Sequence, residues 1–177
     1  MRLLPTPDAV LHIDDLCSSD CTQLISNTLK GHWTLVFFGF TSYLDVCPST
    51  LAILGQAEKH WENLPETRRP QVLFVSIDPD RDSPLRLSGY ARAFHKNILT
   101  TTADTPALQR FATALGLPFR KVPGKSYAEN PLDDTMDHST AIVVLDPQGR
   151  HVGMIHPPFN AEEIATDLQK LTKETTL

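Results

Sequence analysis

The chain has 177 residues, of which 41% are hydrophobic and 21% charged, with a formal net charge of −5. That length and balance suit one globular domain, 1–177, with a full core. Without a Lys/Arg run the chain offers nucleic acid no basic footprint, and no stretch approaches the ~20 apolar residues of a membrane helix.

The first thirty residues are weakly patterned and are expected to form an N-terminal strand or hairpin extension ending near Gly31. Met1-Arg2-Leu3-Leu4 meets Pro5 and Pro7 at once, so no signal-peptide core is read there. Two compartments stay open: the cytosol, or the outer side of a membrane if an export segment has been trimmed.

Thr34 to Thr41 reads as a central strand, apolar on both faces, as a sheet covered on both sides requires. A helix is predicted from Cys47, with Leu51, Leu54, Trp61 and Leu64 near one face and Pro65 closing it. Gln71 to Asp78 is a second buried strand. Asp78-Pro79-Asp80-Arg81-Asp82 turns into a helix with Ser83 as N-cap, Pro84 at its first position and Leu87, Tyr90, Ala91 and Phe94 inward. Ile98 to Thr102 is a short strand. Leu108, Phe111, Ala112 and Leu115 mark another helix, stopped by Gly116. Val122 to Met136 has no period and reads as a long loop, a feature that is often functional. Ala141 to Leu145, the turn Asp146-Pro147-Gln148-Gly149 and Val152 to Ile155 form a hairpin. Asn160 with Glu163 resembles a capping box and opens a last helix, with Ile164, Leu168 and Leu171 inward. This order predicts an α/β, thioredoxin-like fold: a central mixed sheet flanked by helices, with an insertion.

Cys47 is the leading candidate for chemistry. It follows a strand, precedes Pro48 and opens a helix, where free backbone N–H groups favour the thiolate. A thiolate is both a nucleophile and a metal ligand. The plain alternative is a buried structural cysteine, and the strand-to-helix position argues against it. His138, in Asp137-His138-Ser139-Thr140, ends the long loop where a strand begins. Alone it reads as a surface histidine. Paired with Cys47 it can share a metal or modulate the thiol.

Cys17 and Cys21 form a CxxxC whose spacing permits a disulfide. Nothing around them signals reactivity, so they read as a structural pair or two unrelated thiols rather than a second redox or metal pair. Asp78, Asp80 and Asp82 lack the central Gly and terminal Glu of a calcium loop. Asp78 is instead expected to cap or brace its turn. Trp33 and Trp61 read as core or rim, and His12, His32, His60, His95, His151 and His156 show no ligand spacing.

Three segments, LVFFGFT…DVCPSTL, VSIDPDRDSP and MDHSTAIVVLDPQGR, resemble segments of Sco/SenC proteins in the expected order, from about Gly31 to the last helix. The resemblance implies a thioredoxin-like fold anchored on the periplasmic side of a membrane. It implies copper, Cu(I) or Cu(II), held by two cysteines of a CxxxC motif and the histidine of the DHS segment. It implies a role in assembling the copper centre of cytochrome oxidase, with an oxidase subunit or another copper/thiol protein as partner. The second motif cysteine falls on Cys47 and the histidine on His138. The first motif cysteine falls on Tyr43 and the proline after it on Leu44, so one thiolate is missing. Cu(I) prefers thiolates, whereas Cu(II) accepts a mixed thiolate and imidazole set. A third donor would be Asp45, water or the Tyr43 phenol, whose ordinary pKa near ~10 makes it a poor ligand at neutral pH.

The expected function is a divergent Sco/SenC-type copper-binding protein, acting in copper delivery or thiol maintenance during oxidase assembly, with weakened metal affinity. The alternative is an enzyme, a single-cysteine thiol oxidoreductase or peroxidase cycling Cys47 through sulfenic acid. Leu44 stands where such peroxidases place a Thr, three residues before the cysteine. A third reading keeps the fold as a non-metal binding module.

Overall fold

The computed structural model describes residues 2–3, 17–18, 29–41, 46–117, 119–123, 128–129, 134–137 and 140–174. The strands are β1 (Arg2–Leu3), β2 (Cys17–Ser18), β3 (Thr34–Gly39), β4 (Gln71–Ser76), β5 (Leu99–Thr102), β6 (Arg120–Pro123), β7 (Asp134–Asp137), β8 (Ile142–Leu145) and β9 (His151–Ile155). The helices are α1 (Val46–Trp61), α2 (Pro84–Arg92), α3 (Thr105–Ala114) and α4 (Ala161–Glu174). Seven strands form one mixed sheet in the order β1-β9-β8-β3-β4-β5-β2. β3, β4 and β5 run parallel, and β8 lies antiparallel to β3.

The unbroken apolar runs of β3 and β4 are what a doubly covered strand needs. Alternate residues serve opposite faces. Val36, Phe38, Leu73 and Val75 pack with Leu108, Phe111 and Ala112 of α3. Leu35, Phe37, Val72 and Phe74 pack with apolar residues of α1, α2 and α4. Phe37 and Phe74 are register partners with stacked rings 6.1 Å apart. Trp61 closes α1 against α4, fully buried, its indole N–H donating to the Ala165 carbonyl at 3.2 Å. Gly55 lets α1 approach the chain after α2, since a Cβ there would stand 2.6 Å from the Phe94 carbonyl oxygen.

Several elements differ from their sequence reading. α1 ends at Trp61, and Leu64 packs against the core from the turn beyond it. Phe94 likewise packs from just past α2. The N-terminal strands do not form a hairpin with each other: β1 pairs with β9 and β2 with β5, at opposite edges of the sheet. Strands of two residues carry no alternation, so no periodicity could reveal their partners. The stretch read as a long loop has a ladder at its two ends, β6 against β7, from Arg120 opposite Asp137 to Pro123 opposite Asp134. Its first strand is largely exposed and mixed in polarity, so the strand signal is absent from the sequence. The caps at Ser83, which accepts from the Arg86 amide at 3.2 Å, and at Asn160, which accepts from the Glu163 amide at 3.0 Å, agree with the sequence.

One helical residue is out of keeping with its surroundings. Glu58 of α1 is only 2% exposed. Burial pushes its carboxyl up from 4.5 to about 7, against the Val72 amide hydrogen bond and the nearby Arg69, with Glu62 adding to the rise. The folded form therefore holds this proton more tightly than the unfolded form. That advantage is complete below about 4.5 and is lost as pH rises through about 7. We expect Glu58→Gln to change stability little at pH 4 and to raise it by up to about 3 kcal/mol at pH 8. Urea unfolding at the two pH values measures this, and equal effects at both would show that Glu58 is not the titrating group.

Candidate functional site

β3 ends at Gly39 and α1 begins at Val46, so Cys47 lies in the first turn of α1. The side chain of Cys47 lies outside the described part of the structure, as do Tyr43, Leu44, Asp45 and His138. Their backbone neighbours are informative. β8 pairs with β3 from Thr34 opposite Leu145 to Val36 opposite Val143. Counting on in the same register brings Thr140 level with Gly39. The chain that leaves β7 at Asp137 and reaches Thr140 therefore arrives at the C-terminal end of β3. The segment leading to Cys47 departs from that same end. Cys17 is separate: it stands opposite Thr102 on the edge strand β2, three strand spacings from β3, roughly 14 Å. Cys21 and His12 lie outside the described residues.

A buried carboxylate holds this end of the sheet together. Asp82 is fully buried. It accepts hydrogen bonds from the Thr41 amide at 3.0 Å, the Thr41 hydroxyl and the Ser76 hydroxyl at 2.7 Å. Arg86 stands 3.9 Å from Asp82 and donates to the Thr41 hydroxyl at 3.1 Å. The exit of β3, the exit of β4 and the start of α2 are thus tied to one side chain. Thr41 is the last described residue before Val46, so the network fixes where the segment leading to Cys47 sets out.

Asp78 braces its own turn, as expected, while Asp82 ties the exits of β3 and β4 to that turn. The Asp78 amide donates to the Ser76 hydroxyl at 3.1 Å, and its carbonyl accepts from the Arg81 and Asp82 amides at 3.2 and 2.9 Å. Its carboxylate is buried without a hydrogen-bond partner, 3.3 Å from the Arg81 guanidinium. Burial pushes that carboxyl up, and Arg81 opposes the shift. The sequence signal for Asp82 was present in the SIDPDRD segment, where a serine inside a buried strand precedes an aspartate by one turn. Among the described residues, no group of three or more His, Cys, Asp or Glu side chains is placed to hold a metal ion. His32 binds the Arg69 carbonyl at 2.9 Å and His95 meets Glu62 at 2.8 Å, so neither belongs to this end of the sheet.

Residues 15–173 match the SCO1/SenC family. The chain belongs to that family. A candidate copper-binding protein of Stutzerimonas stutzeri is 32% identical over 171 residues, covering 96% of this chain and 79% of its own. The mitochondrial SCO2 homolog of Mus musculus is 28% identical over 141 residues, covering 80% of this chain and 54% of its own. The structure of Bradyrhizobium japonicum ScoI with copper bound matches with a TM-score of 0.78 at 28% identity, over 92% of this chain and 99% of that one. This chain spans about half the length of the mouse protein. The fold is thioredoxin-like, as the sequence predicted, and the SCO1/SenC resemblance read from three short segments holds for nearly the whole chain. No helix among the described residues is long and apolar enough to cross a membrane.

The Asp82 network generates a prediction. Asp82→Ala strands the Thr41 amide and the Ser76 hydroxyl in the interior, and each orphaned donor costs about 1–3 kcal/mol. We expect a loss of about 3 kcal/mol in urea unfolding, and amide hydrogen exchange at Thr41 accelerated more than in α4. A loss below about 0.5 kcal/mol would mean that the network does not hold this end of the sheet.

Proposed function

We propose that this protein handles copper as cargo, in copper delivery or thiol maintenance during assembly of cytochrome c oxidase, with Cys47 and His138 as its ligands. One observation carries the reading: the β3–β8 register leads the chain on either side of His138 to the sheet end from which the chain toward Cys47 departs. The family supports it, and so do a relative and a solved structure whose names include copper. The first turn of α1 supplies backbone N–H groups that favour a thiolate at Cys47.

The replacement of a motif cysteine by Tyr43 leaves one sulfur and one imidazole nitrogen. That set suits Cu(II) better than Cu(I), and weakly for either without a third donor. The proposed place of action is the periplasmic side of a membrane, with an oxidase subunit or another copper/thiol protein as partner. An early-helix thiolate also suits a single-cysteine oxidoreductase, and the same experiment separates the two.

Titration with Cu(I) and Cu(II), followed by absorbance, is expected to give a thiolate-to-copper charge-transfer band with Cu(II). The band should vanish in both Cys47→Ala and His138→Ala. Absent copper uptake with rapid peroxide consumption would replace this reading with the oxidoreductase. Tyr43→Cys is expected to tighten copper binding at least tenfold, about 1.4 kcal/mol. Unchanged affinity in that variant would show that position 43 does not face the metal.

A further inference from the structure

α2 starts at the sheet end that Asp82 ties together, and it buries Leu87 and Ala91 on its inner side. Its outer side is an exposed face. Leu85, Gly89 and Arg92 recur at i, i+4 and i+7 and share one line along the helix, flanked by Arg86 and Ala93. Leu85 is 79% exposed, and no other large hydrophobic side chain among the described residues is exposed. Arg86 joins this face to the sheet end. Its Nε donates to the Thr41 hydroxyl at 3.1 Å and stands 3.9 Å from Asp82, while the side chain stays 57% exposed.

Gly89 is the residue that internal packing does not explain. Its backbone is ordinary α-helix, outside the left-handed region that favours glycine. A Cβ there would meet nothing within 4 Å, whereas at Gly55 it would stand 2.6 Å from the Phe94 carbonyl oxygen. Glycine inside a helix is less stable than alanine. Gly89 therefore weakens α2 without relieving any crowding within the chain. It lowers the helix surface between Leu85 and Arg86 on one side and Arg92 and Ala93 on the other. The distance between packed helices depends on the side chains at the contact, so a second backbone can come close at this point. Charge gives the character of that second chain. Residues 83–96 hold Arg86, Arg92 and Lys96 and no acid, in a chain of net charge −5. Lys96 lies past the helix end, where it lines a cavity of about 310 Å³ with Glu58 and acts on Glu62. Arg86 and Arg92 are the cations beside Gly89. A helix that lies in a lipid interface needs a broad apolar face, and one leucine does not make one.

We propose that the outer face of α2 docks an acidic helix of a partner protein, its backbone seated over Gly89, its carboxylates on Arg86 and Arg92 and an apolar side chain on Leu85. The partner is the protein that exchanges copper or thiols with this one, a point that rests on the proposed copper function. Docking on α2 sets the partner beside the segment that leaves Thr41 toward Cys47, since Arg86 bonds to Thr41 itself.

The probes are two synthetic amphipathic helical peptides, one of Glu, Ala and Leu and one of Lys, Ala and Leu. Titrated into the full 177-residue protein without copper and followed by NMR, the Glu peptide is expected to move the amide signals of Leu85, Gly89 and Arg92 along a saturable curve. The Lys peptide should leave them in place. Gly89→Leu should raise the urea midpoint, because leucine is the better helix former, yet weaken the Glu peptide about tenfold by holding the two backbones apart. A purely structural glycine would not give these opposite changes. Arg92→Glu should exchange the preference, losing the Glu peptide and gaining the Lys peptide. Absent saturation, an equal response to the Lys peptide, wild-type affinity in Gly89→Leu, an unchanged preference in Arg92→Glu, or a stronger response to phosphatidylglycerol vesicles would each overturn the proposal. These titrations contain no copper, so their failure is distinct from failure of the copper titration, which would overturn the partner's identity and leave the docking face standing.

Discussion

β3 lies between β4, which runs with it, and β8, which runs against it, and the rest of the molecule is arranged around that choice. A parallel neighbour must be reached by a crossover, and α1 supplies it. The parallel pair puts the exits of β3 and β4 at one end of the sheet. The antiparallel neighbour brings the chain that precedes β8 to that same end. Three connections far apart in sequence therefore leave or reach one end of the sheet, among them the one toward Cys47 and the one past His138. Burial enforces the arrangement, because shifting β3 by one residue would exchange the faces of Leu35, Val36, Phe37 and Phe38.

The buried carboxylates illustrate how the same group can stabilise or strain a fold. Asp82 has amide and hydroxyl donors around it and links strand exits across forty-one positions of sequence. Asp78, four residues earlier, has an ion pair with Arg81 but no hydrogen-bond partner for its carboxylate. Glu58 keeps one amide partner and leaves its other oxygen unmatched, so its proton becomes hard to remove. The first acid belongs to the scaffold of the proposed copper site. The last marks a different end of the molecule, beyond the reach of any chemistry at Cys47.

On the proposed alignment of the copper motif, Tyr43 takes the place of a cysteine, and the described fold does not rest on that position. The strand, the helix start and the bracing network depend on residues on either side of that position. A copper ligand set is a property of a few atoms, whereas the core around the sheet is built from 37 buried hydrophobic residues among those described. The fold can therefore persist while the metal chemistry weakens or turns to a different use.

The sequence by itself determined the elements whose composition or period is strong: the unbroken apolar strands β3, β4 and β8 and the one-faced helices α3 and α4, with the caps at Ser83 and Asn160. It also determined the family, because three segments kept their residues and their order. Tertiary structure decided what depends on partners remote in sequence. It separated β1 and β2 to opposite edges, paired β6 with β7, and made Asp82 the tie between the exits of β3 and β4. It also left Glu58 buried beside a cavity. The physical reason is common to all of these. Periodicity records which face of an element is apolar, whereas the pairing of short strands and the satisfaction of a buried charge depend on donors supplied by distant parts of the chain.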